Sequence, residues 1–212
     1  MSLTCWKRRW AVPDKTYVMT DIHGRLAELK ALLAQIPAGA KIVFLGDYID
    51  RGSQSREVVA LVRLLQANGA VCLRGNHEDM ICAPDPHMWL DNGGASTVLS
   101  YKHPLTGELD AEALQRDLDW FQTLPRYYED AARVYVHAGV HAAYDLIDQP
   151  EAYTQLFRYP EGYDGSYRGK MVVHGHTPGI FKGRSRVCLD AGRKGLCCGV
   201  FDDHGLVELL WA

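Results

Sequence analysis

Several features are missing from this chain of 212 residues, and each absence argues against a class of protein. No stretch approaches the roughly 20 consecutive apolar residues of a membrane-spanning helix. Basic residues do not dominate, because 23 lysines and arginines stand against 26 aspartates and glutamates and leave a formal charge of -3. A broad nucleic-acid surface normally needs a basic stripe. We therefore expect neither a nucleic-acid partner nor a membrane partner.

Redox and targeting signals are also sparse. The six cysteines form no C-x-x-C pair, and several lie within apolar runs, as small buried hydrophobic residues do. The amino terminus is not typical of a secretory signal, because Pro13 and Asp14 interrupt it before an apolar segment develops. Its dense basic run, Lys7-Arg8-Arg9, is interpreted as a solvated terminus. These features favour a reduced, cytoplasmic location.

The chain carries no internal repeat and no low-complexity linker. Hydrophobic residues make up 47% and charged residues 23%, which is an ordinary globular composition. This length suits one substantial core, so we expect residues 1–212 to form a single domain. The sequence does not indicate an oligomeric state.

Hydrophobic periodicity predicts an α/β (α+β) chain in two parts. In the first part, strands at residues 17–22, 41–45 and 70–73 alternate with helices at 25–36 and 57–67. A turn and short helix follow at 89–101, and a helix at 111–124. The second part is dominated by strands, expected to be antiparallel, at residues 134–136, 171–173, 186–189, 196–201 and 206–210. We expect two sheets packed face to face and covered by helices, with residues 145–169 as a long surface loop.

Five short polar fragments follow or join the apolar runs, and they are the main functional signal. They supply aspartates, histidines, an asparagine and an arginine, which are side chains able to hold two hard divalent ions and a phosphate. The fragments are Asp21-Ile22-His23-Gly24, Gly46-Asp47-Tyr48-Ile49-Asp50-Arg51-Gly52, Gly75-Asn76-His77-Glu78, His137-Ala138-Gly139 and Gly175-His176-Thr177.

Each fragment taken alone also has a structural interpretation. Asp21 could cap the following helix, and Asp47 with Asp50 could be a capping pair beside a surface ion pair. A single histidine such as His137 or His176 is usually a structural residue. Five such fragments in series need a shared explanation, and a two-metal hydrolase site provides one.

The residue types suggest different roles within such a site. Asp21 and His23 are two apart at a strand end and could reach one ion. Asp47 is placed to bridge two ions, and Arg51 offers a planar fork suited to a phosphate. His77 could donate a proton to the leaving group, with Asp50 orienting it, and Glu78 is expected to make a structural hydrogen bond or ion pair.

These motifs resemble the calcineurin-like metallophosphoesterase superfamily. Within it, they resemble the serine/threonine phosphoprotein phosphatases of the compact bacterial and phage type. The resemblance extends from Tyr17 to Val207 and includes Trp89, Asn92-Gly93-Gly94 and Leu189-Asp190-Ala191-Gly192. It implies a four-layer fold with two mixed β-sheets flanked by helices.

The resemblance also implies the residue roles. One ion would be held by Asp21, His23 and Asp47, and the other by Asp47, Asn76, His137 and His176. His77 with Asp50 would protonate the leaving alcohol, and Arg51 would hold the phosphate. The family's second phosphate-binding arginine is matched loosely, with Arg158 as the candidate and Arg168 as its rival. Mn²⁺ would be the first candidate for the two ions, followed by Fe, Zn or Mg. A water or hydroxide held between them would attack phosphorus directly.

The resemblance leaves three functions to weigh. Members that hydrolyse diadenosine tetraphosphate or other small nucleotides tend to lack the equivalent of Asp50 and to carry Asp in place of Glu78. This chain has both residues, which favours a serine/threonine protein phosphatase acting on phosphorylated protein or a small phosphoester. A diadenosine tetraphosphate hydrolase is the alternative, and a catalytically silent binding module is a remote one.

Overall fold

The computed structural model describes residues 15–212, and every structural statement below concerns those residues. The interpretations of Lys7-Arg8-Arg9 and of the amino-terminal segment lie outside this range. The five cysteines within it are all free thiols. Among residues 15–212 we find no helix with the length and apolar character needed to span a bilayer.

Ten strands and seven helices build the described part of the chain. The strands are β1 (Thr16–Met19), β2 (Lys41–Phe44), β3 (Val71–Cys72), β4 (Tyr127–Glu129), β5 (Arg133–Val136), β6 (Met171–His174), β7 (Phe181–Lys182), β8 (Arg186–Cys188), β9 (Cys197–Asp202) and β10 (Gly205–Trp211). The helices are α1 (Leu26–Leu33), α2 (Ser55–Ala67), α3 (Asn76–Cys82), α4 (His87–Trp89), α5 (Ala95–Ser100), α6 (Ala111–Thr123) and α7 (Glu151–Leu156).

The strands form two mixed sheets of five strands each, which confirms the predicted fold class. The first sheet has the order β10-β9-β1-β2-β3, and the second has the order β4-β5-β6-β8-β7. In the first sheet β1, β2 and β3 are parallel, while β9 runs antiparallel to β1 and to β10. In the second sheet β5, β6 and β8 are parallel, with β4 and β7 antiparallel at the edges.

The predicted antiparallel arrangement of the late strands is therefore wrong for β5, β6 and β8. Parallel neighbours normally need a long helical crossover. Here β6 reaches β8 through a segment that itself contributes β7, which pairs with β8 as an antiparallel edge strand. The predicted hairpin between the last two strands is confirmed by the β9–β10 pairing.

Side-chain alternation along β1 divides the core into layers. Val18 points between the two sheets and packs with Tyr135 and Val173 of the second sheet. Tyr17 and Met19 point the other way, into the cluster formed with α1, α2 and α6. All three are buried, because β1 is covered on both faces.

The outer face of the second sheet is covered by residues 140–167. Residues 145–169 were expected to be a long surface loop, but that range contains α7 and a 3₁₀ turn at Leu146–Asp148. It is held beside the carboxyl end of β5, because the Ala138 amide donates a hydrogen bond of 2.9 Å to the Thr154 carbonyl. The prediction of an irregular loop is wrong for this part.

Candidate metal centre and active site

The five polar fragments meet at one edge of the molecule. Parallel strands bring their carboxyl ends to the same edge of a sheet. The fragments follow β1, β2 and β3 in the first sheet and β5 and β6 in the second. The two sheets are joined there directly, because the His176 amide donates to Asp21 Oδ2 at 3.1 Å. The predicted residues thus share one site.

Strained backbone is concentrated in these fragments. Seven non-glycine residues among 15–212 have a positive φ, between 46° and 72°, and all but Arg168 lie in the site. Such conformations cost of order 1–3 kcal/mol each and persist only where the surroundings enforce them. The six site residues are Asp21, His23, Asp47, Asp50, Arg51 and His176.

Asp47 lies at the centre of the site, with its two carboxylate oxygens facing different histidines. Oδ2 is 3.6 Å from His23 Nε2, and Oδ1 is 3.5 Å from His137 Nε2. The side chain is buried. This arrangement is what a carboxylate bridging two ions requires, since each oxygen has its own imidazole partner.

Both of these histidines are oriented by their other ring nitrogen. His23 Nδ1 lies 2.8 Å from the Ile49 carbonyl, and His137 Nδ1 lies 3.1 Å from the Leu45 carbonyl. A carbonyl oxygen can only accept a hydrogen bond, so Nδ1 of each ring must carry the proton. The lone pair of Nε2 then faces Asp47. Metal-binding histidines are typically oriented in this way.

Asn76 completes the half of the site nearer the second sheet. Its Oδ1 is 2.9 Å from His137 Nε2 and 3.0 Å from His176 Nδ1. It is the first residue of α3, which places its amide oxygen between two imidazoles. His176 belongs to the loop after β6, so this half joins both sheets.

The protonation states match a metal-binding donor set. Burial lowers the pKa of His23 to about 3, and burial lowers that of His176 to about 4, with the neighbouring His137 and Arg158 disfavouring its protonation as well. Burial likewise lowers the pKa of His137. These imidazoles therefore stay neutral, as ligands must.

The two carboxylates strengthen the same argument. Burial and the charge of Asp47 raise the pKa of Asp21 to about 7. Burial opposes ionisation of Asp47 as well, but its pKa is lowered because His137, His77 and His23 outweigh it. Two neighbouring buried carboxylates repel each other unless a cation lies between them. Oxygen and imidazole donors of this kind fit divalent ions.

His77 differs from the other histidines of the site. Burial would lower its pKa, but the charge of Asp47 and the hydrogen bond and charge of Asp50 outweigh burial and raise it. Its Nδ1 lies 2.6 Å from Asp50 Oδ2. Its Nε2 lies 3.7 Å from Asp47 Oδ2, which also favours the protonated ring. His77 is therefore the imidazole of the site best suited to carry a proton.

Arg51 is close to both groups of residues. One terminal nitrogen lies 2.7 Å from His23 Nε2 and the other lies 3.1 Å from His77 Nε2. The residue as a whole is exposed, while both histidines are buried. A planar guanidinium at the mouth of the site can form paired hydrogen bonds with a phosphate.

The two candidate arginines in the later segment have different surroundings. Arg168 pairs with Asp145 and lies over the ring of Tyr167, at 5.3 Å from its centroid. Arg158 is near enough to His176 for its charge to help lower that pKa, after burial and His137. Of the two, only Arg158 is close enough to influence a histidine of the site in this way.

One residue that contacts Asp50, Thr97, was not found from the sequence. The Asp50 carboxylate accepts hydrogen bonds from Trp89 Nε1 and Thr97 Oγ1, and only Trp89 lay in a recognised motif. Glu78 accepts from the amides of Asp47, Tyr48 and Gly75 at 2.8–2.9 Å, which is the expected structural role. Thr97 carries no local signal, because its contact with Asp50 is long-range.

The family of the protein follows from comparison with known sequences. The sequence profile described as calcineurin-like phosphoesterase matches residues 15–199. The chain belongs to the calcineurin-like phosphoesterase family, and it contains the buried carboxylate and histidine clusters that could hold the divalent metals of that family.

More specific similarity comes from individual relatives. A symmetrical bis(5'-nucleosyl)-tetraphosphatase of Pectobacterium atrosepticum is 34% identical over 205 residues, covering 86% of this chain and 69% of that protein. The corresponding enzyme of Methylococcus capsulatus is 35% identical over 134 residues, covering 61% of this chain and 44% of that protein. The chain thus matches less than half the length of this second relative.

A solved structure supports the fold assignment. The crystal structure of a candidate diadenosine tetraphosphatase superposes with a TM-score of 0.68 and 22% identity, and the match covers 95% of both chains. Identity this low shows a shared fold alone.

The main functional prediction, a serine/threonine protein phosphatase, is wrong. The sequence relatives are named as bis(5'-nucleosyl)-tetraphosphatases, which corresponds to the alternative. The structure gives a physical reason. Asp50 and Glu78, the two residues that decided the prediction, are both fully buried. They orient His77 and the Asp47 turn from beneath the site, so they do not report which substrate lies above it.

Proposed function

We propose that this chain hydrolyses bis(5'-nucleosyl) tetraphosphates with the help of two divalent metal ions. The observation that carries the proposal is the 34% identity, over 86% of the chain, to an enzyme named for that activity. The site geometry supports it, because a bridging carboxylate, neutral imidazoles and an arginine fork suit phosphate chemistry. A small phosphoester is therefore the proposed substrate class.

We assign the ions to two sets of residues that share Asp47. One set is Asp21, His23 and Asp47, and the other is Asp47, Asn76, His137 and His176. Mn²⁺ is our first candidate, followed by Fe, Zn and Mg, because the donors are oxygen and imidazole. When bound, such ions supply Lewis-acid stabilisation of the phosphoryl charge and lower the pKa of water.

The remaining site residues would bind and protonate the substrate. Arg51 holds the oxygens of the phosphoryl group under attack, with Arg158 as the proposed second contact. Water adds to one of the two inner phosphorus atoms and releases a proton to solvent, and the bond from that phosphorus to the oxygen bridging the two inner phosphates breaks. His77 gives its proton to that oxygen, and Asp50 keeps the imidazole oriented. A tetraphosphate cut at its centre yields two nucleoside diphosphates.

Product analysis tests the proposal. Purified protein with added Mn²⁺ should convert diadenosine tetraphosphate to ADP, and chelation should abolish the reaction. Formation of ATP and AMP in equal amounts would show asymmetric cleavage and overturn the central-cut assignment. Absence of any cleavage of the dinucleotide, with or without metal, would overturn the proposed function.

A further inference from the structure

The segment 89–97 carries a sequence motif that the proposed function does not use. Trp89 and the Asn92-Gly93-Gly94 run stood out in the sequence, yet none of these residues is among the proposed metal ligands. The segment runs from the last residue of α4 into α5 and contacts residues 50 and 51. Its contacts to those two residues suggest a specific task.

The Asp50 carboxylate is surrounded by fixed hydrogen-bond donors. Trp89 Nε1 lies 2.9 Å from Oδ1 and 3.0 Å from Oδ2, and Thr97 Oγ1 lies 2.6 Å from Oδ1. His77 Nδ1 lies 2.6 Å from Oδ2. Asp50 is fully buried, so water does not compete for these oxygens. Two of the three side chains that bond to its carboxylate oxygens therefore come from the segment 89–97.

The same segment also touches the neighbouring arginine. The Arg51 amide donates to the Gly93 carbonyl at 3.3 Å. Gly93 has a φ of 103°, and a Cβ there would lie 3.0 Å from the Arg51 amide nitrogen. Gly94 lies against the Trp89 ring, and a Cβ would come within 2.4 Å of it. The two glycines thus allow the close approach that the contacts require.

We infer that residues 89–97 form a clamp that positions Asp50, and through it the imidazole of His77, for proton delivery to the leaving oxygen. Trp89 and Thr97 are its positioning residues. A carboxylate held by His77 alone could rotate, and the imidazole Nε2 would rotate with it. Indole and hydroxyl donors on the other side prevent this rotation. The inference rests on the proposed role of His77.

A structural explanation of Trp89 makes a different prediction. A buried indole usually finds some hydrogen-bond partner, and Trp120 Nε1 does so with Gln66 Oε1 at 2.8 Å, away from the site. If Trp89 only fills space, its loss should resemble the loss of Trp120. If it positions the proton donor, its loss should appear in turnover and should depend on His77.

A double-mutant cycle on the full chain separates the two explanations. Trp89→Phe and Thr97→Val remove the donors with little change of shape, Thr97→Ser keeps the hydroxyl, and Trp120→Phe is the matched control. We expect Trp89→Phe and Thr97→Val each to lower kcat about tenfold with KM and metal content unchanged, because each breaks a hydrogen bond to a charged group. Thr97→Ser and Trp120→Phe should keep turnover within about twofold of the original protein.

The dependence on His77 is the decisive readout. In the His77→Asn background, Trp89→Phe and Thr97→Val should have almost no further effect on kcat, because the group they position is gone. Equal losses in both backgrounds would overturn the clamp. So would equal losses for Thr97→Ser and Thr97→Val. If Trp89→Phe fails to fold, Thr97→Val completes the cycle.

The substrate is chosen so that the two proposals fail separately. The cycle uses diadenosine tetraphosphate and, in parallel, the alkyl ester glycerol 2-phosphate, whose poor leaving group needs a proton. If only glycerol 2-phosphate is cleaved, the proposed function fails while the cycle still decides the clamp. If His77→Asn has full turnover on every cleaved substrate, both the proton-donor role and the clamp are overturned. A chain that cleaves neither substrate overturns both proposals.

Discussion

At the scale of single residues, burial and neighbours give histidines of this site opposite properties. Burial lowers the pKa of His23 and of His137, which suits them to bind metal as neutral rings. For His77, burial acts in the same direction but is outweighed by Asp47 and Asp50, so its pKa rises. One residue type therefore serves two chemical roles within a few ångströms.

The bridging role of Asp47 can be tested by one substitution. Asp47→Asn keeps the shape but removes the charge shared between the two halves of the site. We expect metal content, measured by X-ray fluorescence, to fall for both ions, and activity to fall by at least about a hundredfold. Asp117→Asn is a matched control, because Asp117 is also buried but bonds to Tyr101 and Arg63 away from the site. Full retention of both ions in Asp47→Asn would contradict the bridge.

At the scale of elements, the turn after β2 depends on α3. Asp47 has a φ of 58°, a strained conformation that its own sequence does not favour. The buried Glu78 carboxylate, in the first turn of α3, accepts the amides of Asp47 and Tyr48 at 2.9 and 2.8 Å. It also binds the Gly75 amide, so one side chain holds two loops of the site together.

Glu78→Gln tests this dependence. An amide can accept with only one oxygen, and its NH₂ group would face a backbone donor. We expect the free energy of unfolding, measured in urea, to fall by about 2 kcal/mol, because at least one buried amide loses its partner. Glu57→Gln makes the same change on the exposed surface of α2 and should cost less than about 0.5 kcal/mol. An unchanged midpoint for Glu78→Gln would show that the turn is held by other contacts.

The elements themselves were predicted unevenly, for identifiable reasons. Strands such as β1 and β2 were found because apolar runs ended in polar fragments. Helix α3 was missed because Gly75-Asn76-His77 resembles a loop, although Asn76 already begins the helix. Helix α7 was missed because tyrosine, proline, glycine and aspartate dominate its surroundings. The direction of β8 depends on the edge strand β7, which has only two residues and little sequence signal.

At the scale of the whole molecule, the arrangement of the site was more predictable than its substrate. The predicted residues converge because parallel strands from both sheets end at one edge, a consequence of the fold. Two features could not be predicted from the local sequence, because they depend on long-range packing. They are the positive φ values of the site and the contacts of Trp89 and Thr97 with Asp50. Substrate choice was predicted from buried residues, which is why the prediction was wrong.

The buried histidines also make the stability of the molecule sensitive to acid. Burial and the charge of Arg186 lower the pKa of His174 to about 3. Below the unfolded pKa of about 6.5, the unfolded chain binds a proton that the folded chain refuses, so stability present above that pH is lost as the pH falls toward 3. With a chelator present, this group alone should remove about 2 kcal/mol of unfolding free energy between pH 7 and pH 5.

Urea unfolding at the two pH values checks this expectation. His174→Gln keeps an acceptor for Arg186 and should show a loss between pH 7 and pH 5 that is smaller by about 2 kcal/mol. His204→Gln, on the exposed turn between β9 and β10, should behave as the unsubstituted protein. An identical pH dependence in all three proteins would mean that His174 does not titrate as its burial requires.

The most direct test of the proposed function is a competition between substrates. Diadenosine tetraphosphate and a phosphoserine peptide, mixed at equal concentration with purified protein and Mn²⁺, report the ratio of kcat/KM values in one reaction. The Asp47→Asn protein serves as the blank. We expect the dinucleotide to be consumed with release of ADP while the peptide remains largely phosphorylated. Preferential loss of phosphate from the peptide would contradict the proposed function.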